Sequence, residues 1–403
     1  MNIRSITCFI SVGDSATQAS AVATAGRLAR HARASLESAG FSVQTTRLAT
    51  QPLSRLPGDP LDLARELWAR CADAGFEYLS LGPVLADSPD ADLSRLDVIP
   101  ELIRATETVF AGVVVAQQGH GLHLEAIRRT ARAIHEIAHT TEMGFGNLRL
   151  AMLANVGPHA PFFPAAYHDG GSPALALATE SAGLAVAACS EAGSIDQVRG
   201  RLVAAVEEAA GQLVDTVRPL TDLYSYRFAG IDFSLAPFPE EARSIGAAVE
   251  RLGVDRFGAP GTLFAASLLT DCLRRASYPR CGFNGLMLPV LEDATLADRS
   301  REGLFTVNDL LLYSAVCGTG LDVVPLPGDV SEEELAGILL DVATLALRLD
   351  KPLTARLMPI PGARAGDLTR FEFSYFANGR VLGVKGFGSP GLFQRGPWLD
   401  ERQ

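Results

Sequence analysis

The sequence predicts an α/β protein, a single domain over residues 1–403 assembled from repeated strand-helix units. Three observations predict it. Strand-like and helix-like patterns alternate from the first residues onward. The run Val109-Phe110-Ala111-Gly112-Val113-Val114-Val115 is almost wholly apolar, as a parallel strand covered on both faces should be. No stretch has the composition of a linker between independent domains.

In order, residues 3–12 read as a strand and 16–39 as a long Ala- and Arg-rich helix. Residues 41–48 are strand-like, 61–74 helical, 76–81 a strand and 94–108 largely helical. The apolar strand at 109–116 leads through Gln117-Gln118-Gly119-His120-Gly121 to a helix over 122–141 and a strand over 148–155. A long Pro- and Gly-punctuated loop spans 157–171; loops of that length inside a compact domain are more often functional than idle. A strand at 175–179 and a helix at 195–216 follow.

Ile231-Asp232-Phe233-Ser234-Leu235 alternates apolar and polar residues, so a pleated strand there sets Asp232 and Ser234 on one face. Pro237 and Pro239 end it, and Pro239-Glu240-Glu241 suits the start of a helix running to Leu252. Helices over 262–275 and 306–316, a strand over 283–290, and a helix from Ser331 to Leu349 complete the pattern, the last opened by the capping box Ser331/Glu334. Residues 353–360 and 368–376 read as strands.

A hydrophobic content of 48% suits a large core, and a net charge of −11 argues against nucleic acid and anionic membrane as partners. No apolar run is long enough to span a bilayer, and the N-terminus reads as a strand rather than a signal peptide. Six scattered cysteines without a CxxC fit buried thiols in a reducing cytoplasm. No phosphate-binding glycine loop or dinucleotide fingerprint occurs, so no nucleotide cofactor is indicated.

Several stretches together resemble one family: Ile3-Arg4-Ser5-Ile6-Thr7, Pro161-Phe162-Phe163 with Tyr167-His168, and Ile231 through Pro237. Gly261-Thr262, Leu288-Pro289-Val290 with Glu292-Asp293, Ala315-Val316-Cys317, Gly320-Leu321-Asp322 and the strand holding Arg356 continue the likeness over nearly the whole chain. The family is domain of unknown function 711, also catalogued as uncharacterised protein family 0210. The resemblance implies a ten-stranded α/β barrel similar to that of pyruvate formate-lyase and other glycyl-radical enzymes, with helices outside. It implies no agreed reaction. Arg380-Val381-Leu382-Gly383-Val384 is similar to part of a glycyl-radical motif, but no aromatic follows Gly383, so radical chemistry is not expected.

The family match falls on His168, whose imidazole titrates near neutrality and could act as acid, base or ligand; the alternative is a brace for its loop. Asp232, Glu292, Asp293 and Asp322 each follow or interrupt an apolar element. At one barrel mouth they could bind a divalent metal ion or divide acid and base roles; otherwise they cap helices and turns. Cys317, before Gly318 and Gly320, is a nucleophile if its pKa is depressed and a structural thiol if not. Arg356 either clamps a substrate carboxylate or pairs with an aspartate. His135-Glu136-Ile137-Ala138-His139 spells HExxH, which on a helix sets two imidazoles one turn apart for zinc.

The leading expectation is a cytoplasmic barrel enzyme performing acid/base or metal-assisted chemistry on a small anionic metabolite. His168, Asp232 and Cys317 would be catalytic, and Ser234, Arg356 and Tyr167 would bind substrate. Glu292, Asp293 and Asp322 would offer metal ligands. The other readings are a non-catalytic metabolite sensor and a zinc hydrolase using His135 and His139. A homodimer is expected from the general frequency of two-fold oligomers.

Overall fold

The computed structural model describes residues 1–13, 15–386 and 388–400. In chain order it begins β1 (Asn2–Phe9), α1 (Ser15–Ser38), β2 (Val43–Ala49), α2 (Pro60–Asp73), β3 (Tyr78–Leu85), α3 (Ile99–Ala105) and β4 (Val109–Gln117). It continues β5 (Gly121–His123), α4 (Leu124–Thr140), β6 (Leu150–Ala154), β7 (Ala174–Glu180), α5 (Ala182–Glu191), α6 (Ile195–Tyr224) and β8 (Arg227–Asp232). The remainder is α7 (Ile245–Arg251), α8 (Thr262–Arg275), α9 (Ala294–Glu302), α10 (Val307–Ser314), β9 (Gly320–Pro327), α11 (Glu332–Leu349), β10 (Leu353–Ile360), α12 (Pro390–Phe393) and β11 (Trp398–Asp400).

Among the described residues eleven strands, not ten, share one mostly parallel sheet with helices around it. Its main path is β8-β7-β1-β2-β3-β4-β6-β10-β9. The run β1, β2, β3, β4, β6 is parallel throughout, as are the pairs β7/β8 and β9/β10. The two seams, β1/β7 and β6/β10, are antiparallel. Beyond β8, Ile231 makes a parallel bridge to Arg280 and Leu235 one to Leu286, while Pro289 bridges to Asp322 of β9. The segment expected as a strand at 283–290 thus forms isolated bridges to both ends of the sheet path.

β4 and β6 are apolar and almost wholly buried, which is why neither shows alternation. One face of β1 packs Ile6 and Cys8 into an apolar cluster that runs from Ile3 to Leu382 and takes in the helices. The other face turns Phe9 toward Ala49, Phe110, Phe163 and Ala176. α11 starts at the expected Ser331/Glu334 capping box, and α10 has a second one in Thr306/Asp309.

Three expectations are corrected. The helix at 94–108 shrinks to α3, which begins where Pro100 can occupy an early helical position. The helix expected from Glu240 is a short 3₁₀ turn at Glu241–Arg243, and α7 starts only where Ser244 caps it. Residues 368–376 form no strand: Leu368 bridges Arg380, and Phe371, Phe373 and Phe376 cluster in irregular chain against Phe145. α5 and α9, short and rich in Ala or charge, went unpredicted.

Candidate functional site

A cavity of about 80 Å³ lies on the inner side of the sheet. Alternation puts Arg47 of β2, Tyr78 of β3 and Phe110 of β4 there, and the long loop contributes Phe162 and Phe163. Two more arginines join them. Arg4 is the extra residue of β1 where the β1/β7 register shifts between Ile3 and Ser5, an irregularity that re-aims a side chain out of the pleat. Arg356 follows the ordinary alternation of β10, on the face opposite Ala355 and Leu357, and the extra residue at the β10/β9 shift lies on β9 beside Asp322. Both arginines line the cavity.

Their charges are largely committed. Arg4 donates to Glu292 and, at 3.3 Å, to the Pro237 carbonyl. Arg356 donates to Asp322 at 2.6 Å, to Glu292 at 3.1 Å and to the Leu148 carbonyl at 3.4 Å. Burial works to raise the Glu292 carboxyl, but Arg4 and Arg356 outweigh it and hold it below the usual glutamate range. Burial, reinforced by the Glu292 charge, holds Asp322 above its usual range despite Arg356. Asp322 Oδ2 is buried with no hydrogen-bond partner among the described residues.

Arg47 differs. Only its Nε is engaged, donating to Thr45 Oγ1 at 2.8 Å, and among the described residues no carboxylate lies within ion-pair distance. Its guanidinium stands 5.1 Å from the Phe163 ring centroid and 5.6 Å from that of Tyr78, a cation between two aromatic faces. It is half-buried and lines the cavity. Burial, then repulsion from Arg4, lowers its pKa to about 10.

Asp232 and Ser234 share the cavity wall. The carboxylate accepts from the backbone N–H groups of Phe283, Asn284 and Ser234 at 3.0–3.1 Å and from Ser234 Oγ at 2.6 Å. Burial raises its pKa although each of these bonds opposes the rise. The close approach depends on Gly282, at φ +72°, where a Cβ would stand 2.3 Å from Asp232 Oδ2.

The structure thus brings Asp232, Ser234, Glu292 and Arg356 to one cavity, with Asp322 attached through Arg356. The other expected residues lie elsewhere. His168 is fully buried, beyond the C-terminal end of β1. Its Nδ1 accepts from the Gly170 N–H at 3.2 Å and pairs with Ser11 Oγ at 3.1 Å, while Nε2 faces the Ser172 carbonyl at 3.1 Å. That pattern is a neutral ring protonated on Nε2 with both nitrogens used, and it corresponds to the loop-bracing alternative. Tyr167 donates its hydroxyl to the Val156 carbonyl.

His168 does have neighbours with ligand spacing, His159 and Asp169. They do not suit a cation, because Arg227 Nη2 stands 3.2 Å from both ring nitrogens of His159. Asp293 caps α9 through the Leu296 N–H and also accepts from Ser244 Oγ and the Ile245 N–H at the start of α7, so two helix starts use up the carboxylate proposed as a metal ligand. Cys317 is buried, and its Sγ accepts from the Gly320 N–H at 3.4 Å. His135 and His139 stack at 4.4 Å on the outer side of α4, where His139 Nδ1 binds the His135 carbonyl. Among the described residues no further group completes a ligand set with them.

A family model described as "Uncharacterised ACR (DUF711)" matches residues 1–374. The chain belongs to the DUF711 family. The UPF0210 protein of Methanopyrus kandleri is 33% identical over 348 residues, covering 83% of this chain and 76% of that protein. The UPF0210 protein of Desulforudis audaxviator is 30% identical over 391 residues, 92% of this chain and 86% of the relative. That of Pyrobaculum arsenaticum is 35% identical over 282 residues, 68% of this chain and 61% of the relative.

The DUF711 match includes every cavity residue from Arg4 to Phe373 and stops just short of Tyr375. Arg47 escaped the sequence reading. Its signal was present: an arginine flanked by Thr46 and Leu48 interrupts a strand much as Arg356 does.

Proposed function

We propose that this DUF711 chain binds a small organic anion inside its sheet and performs acid/base chemistry on it. The reading rests on Arg47, a half-buried cation with no carboxylate within ion-pair distance among the described residues, lining a cavity walled by aromatic rings. Burying a guanidinium unpaired is costly, and an anionic ligand would offset that cost. Ser234, with its hydroxyl donating to Asp232 at 2.6 Å, supplies a proton relay: the hydroxyl passes its proton to the carboxylate as it takes one from the ligand.

The proposal includes closure of the sheet into a barrel like that of the glycyl-radical enzymes. Its support is arithmetic: β1, β2, β3, β4, β6, β7, β8, the 280–289 segment, β9 and β10 make ten staves, with parallel bridges on both sides of that segment. A cytoplasmic homodimer completes it; among the described residues no helix is long and apolar enough to cross a membrane. A sensor without turnover is the second reading, favoured by the four donors that already satisfy Asp232.

The test is incubation of the full chain with pooled carboxylic acids, followed by mass spectrometry. Conversion lost in both Arg47→Met and Ser234→Ala supports the enzyme. Retention of an acid without conversion selects the sensor. Neither retention nor conversion removes the cavity reading.

A further inference from the structure

We infer that the ligand is an organic monocarboxylate with a compact apolar or aromatic body, its carboxylate on the terminal nitrogens of Arg47 and its body against Phe110, Phe162 and Phe163. This rests on the anion-binding reading above and narrows it to one chemical class.

Charge sets the first limit. Of the three cavity arginines, Arg4 and Arg356 are held by Glu292 and Asp322. One guanidinium is left with two terminal nitrogens to offer, the geometry that receives a single carboxylate in a fork. A second anionic group on the ligand would have to displace Glu292 from a buried ion pair or stand against Glu292 and Asp232 themselves. A dicarboxylate and a phosphate dianion are both disfavoured on that ground.

The second limit is hydrogen bonding. Apart from the hydroxyls of Tyr78 and Tyr375, the neutral polar side chains of the wall are already hydrogen-bonded among the described residues. Thr45 Oγ1 donates to the Arg4 carbonyl at 2.8 Å while accepting from Arg47, Ser234 Oγ donates to Asp232, and Gln44 Nε2 donates to Glu180. A sugar or polyol would find few free partners and would leave its own hydroxyls unsatisfied. What remains of the wall is rings, two of them phenols, and aliphatic groups. Phe110 and Phe163 already meet edge to face at 5.3 Å, and Phe162 and Phe283 do so at 5.4 Å, so the rings are held in place before any ligand enters.

Isothermal titration calorimetry of the full chain with benzoate, benzamide, succinate and inorganic phosphate tests the class. Benzoate is expected to bind at least tenfold tighter than the other three. Arg47→Met should lose benzoate by tenfold or more with an unchanged circular dichroism spectrum, and Arg47→Lys should recover part of the loss. Succinate or phosphate binding as tightly as benzoate would overturn the monocarboxylate class and leave the anion site standing. Benzamide equal to benzoate would overturn the role given to Arg47. No binding by any of the three anions would overturn both the class and the anion site beneath it.

Discussion

Two polar clusters flank β1 and differ in one respect. Beyond its C-terminal end, His159, His168 and Asp169 gather with Ser11 and Arg227, and the ring nitrogens of His168 are both engaged by the protein itself. On its inner side, three arginines gather with Glu292 and Asp322, and the terminal nitrogens of Arg47 are not engaged. Phe9 connects the regions: its ring meets His159 at 5.2 Å and belongs to the apolar cluster holding the cavity rings Phe110 and Phe163. The histidine cluster is the more conspicuous in sequence, yet its hydrogen-bonding capacity is spent on holding a loop. A group with capacity left over is the better guide to a ligand.

The sharpest way to test this contrast is to break a saturated charge. Arg356→Met strands Asp322 in the interior, leaves Glu292 with Arg4 alone, and should cost about 3–5 kcal/mol in urea unfolding. His168→Ala removes bonds to Ser11, Gly170 and Ser172 and should cost about 2–3 kcal/mol. Unchanged unfolding of His168→Ala, together with loss of ligand binding, would reverse the roles assigned to the two clusters.

Acid tests the histidine cluster more gently. Burial first, then Arg227 and His168, lowers the His159 pKa to about 4 although Asp169 opposes them. The unfolded imidazole takes up a proton near its ordinary value of 6.5, and the folded one does not until about pH 4. The folded state therefore binds fewer protons in that window, so stability is complete above it and falls as pH drops through it. With part of that shift screened by solvent, a loss of about 2 kcal/mol is expected from urea midpoints at pH 7 and pH 4 in the wild type relative to His159→Phe.

Arg47→Met should show the smallest change in unfolding, within about 0.5 kcal/mol of wild type or slightly stabilising, because it removes a cation that burial already disfavours. A loss larger than that of His168→Ala would mean that Arg47 is a structural residue and would erase the contrast.

The alternation of strand-like and helix-like stretches and the apolar run at Val109–Val115 made the α/β class legible, because period and burial are local properties, whereas the alternation at Ile231–Leu235 lies in a strand only as far as Asp232. The same held for the capping box of α11, where one turn of helix contains the whole interaction. Local chemistry is not enough at Asp293 and His168, whose residue types suit a site. Their partners, Ser244 and Ile245 for one and Ser11 for the other, are distant in sequence, and nothing local shows that those partners exhaust them.

By itself the sequence determined the class of fold, the alternation of elements and which residues carry chemistry, since each follows from neighbours along the chain. Tertiary structure alone decided which of those residues stay chemically available. A register shift at Arg4 and the bulge of β9 opposite Arg356 set two guanidiniums against Glu292 and Asp322, and the pleat left Arg47 facing aromatic rings instead of an acid. Whether a charge is spent or free depends on what stands opposite it across the sheet, and that is fixed only when distant strands meet.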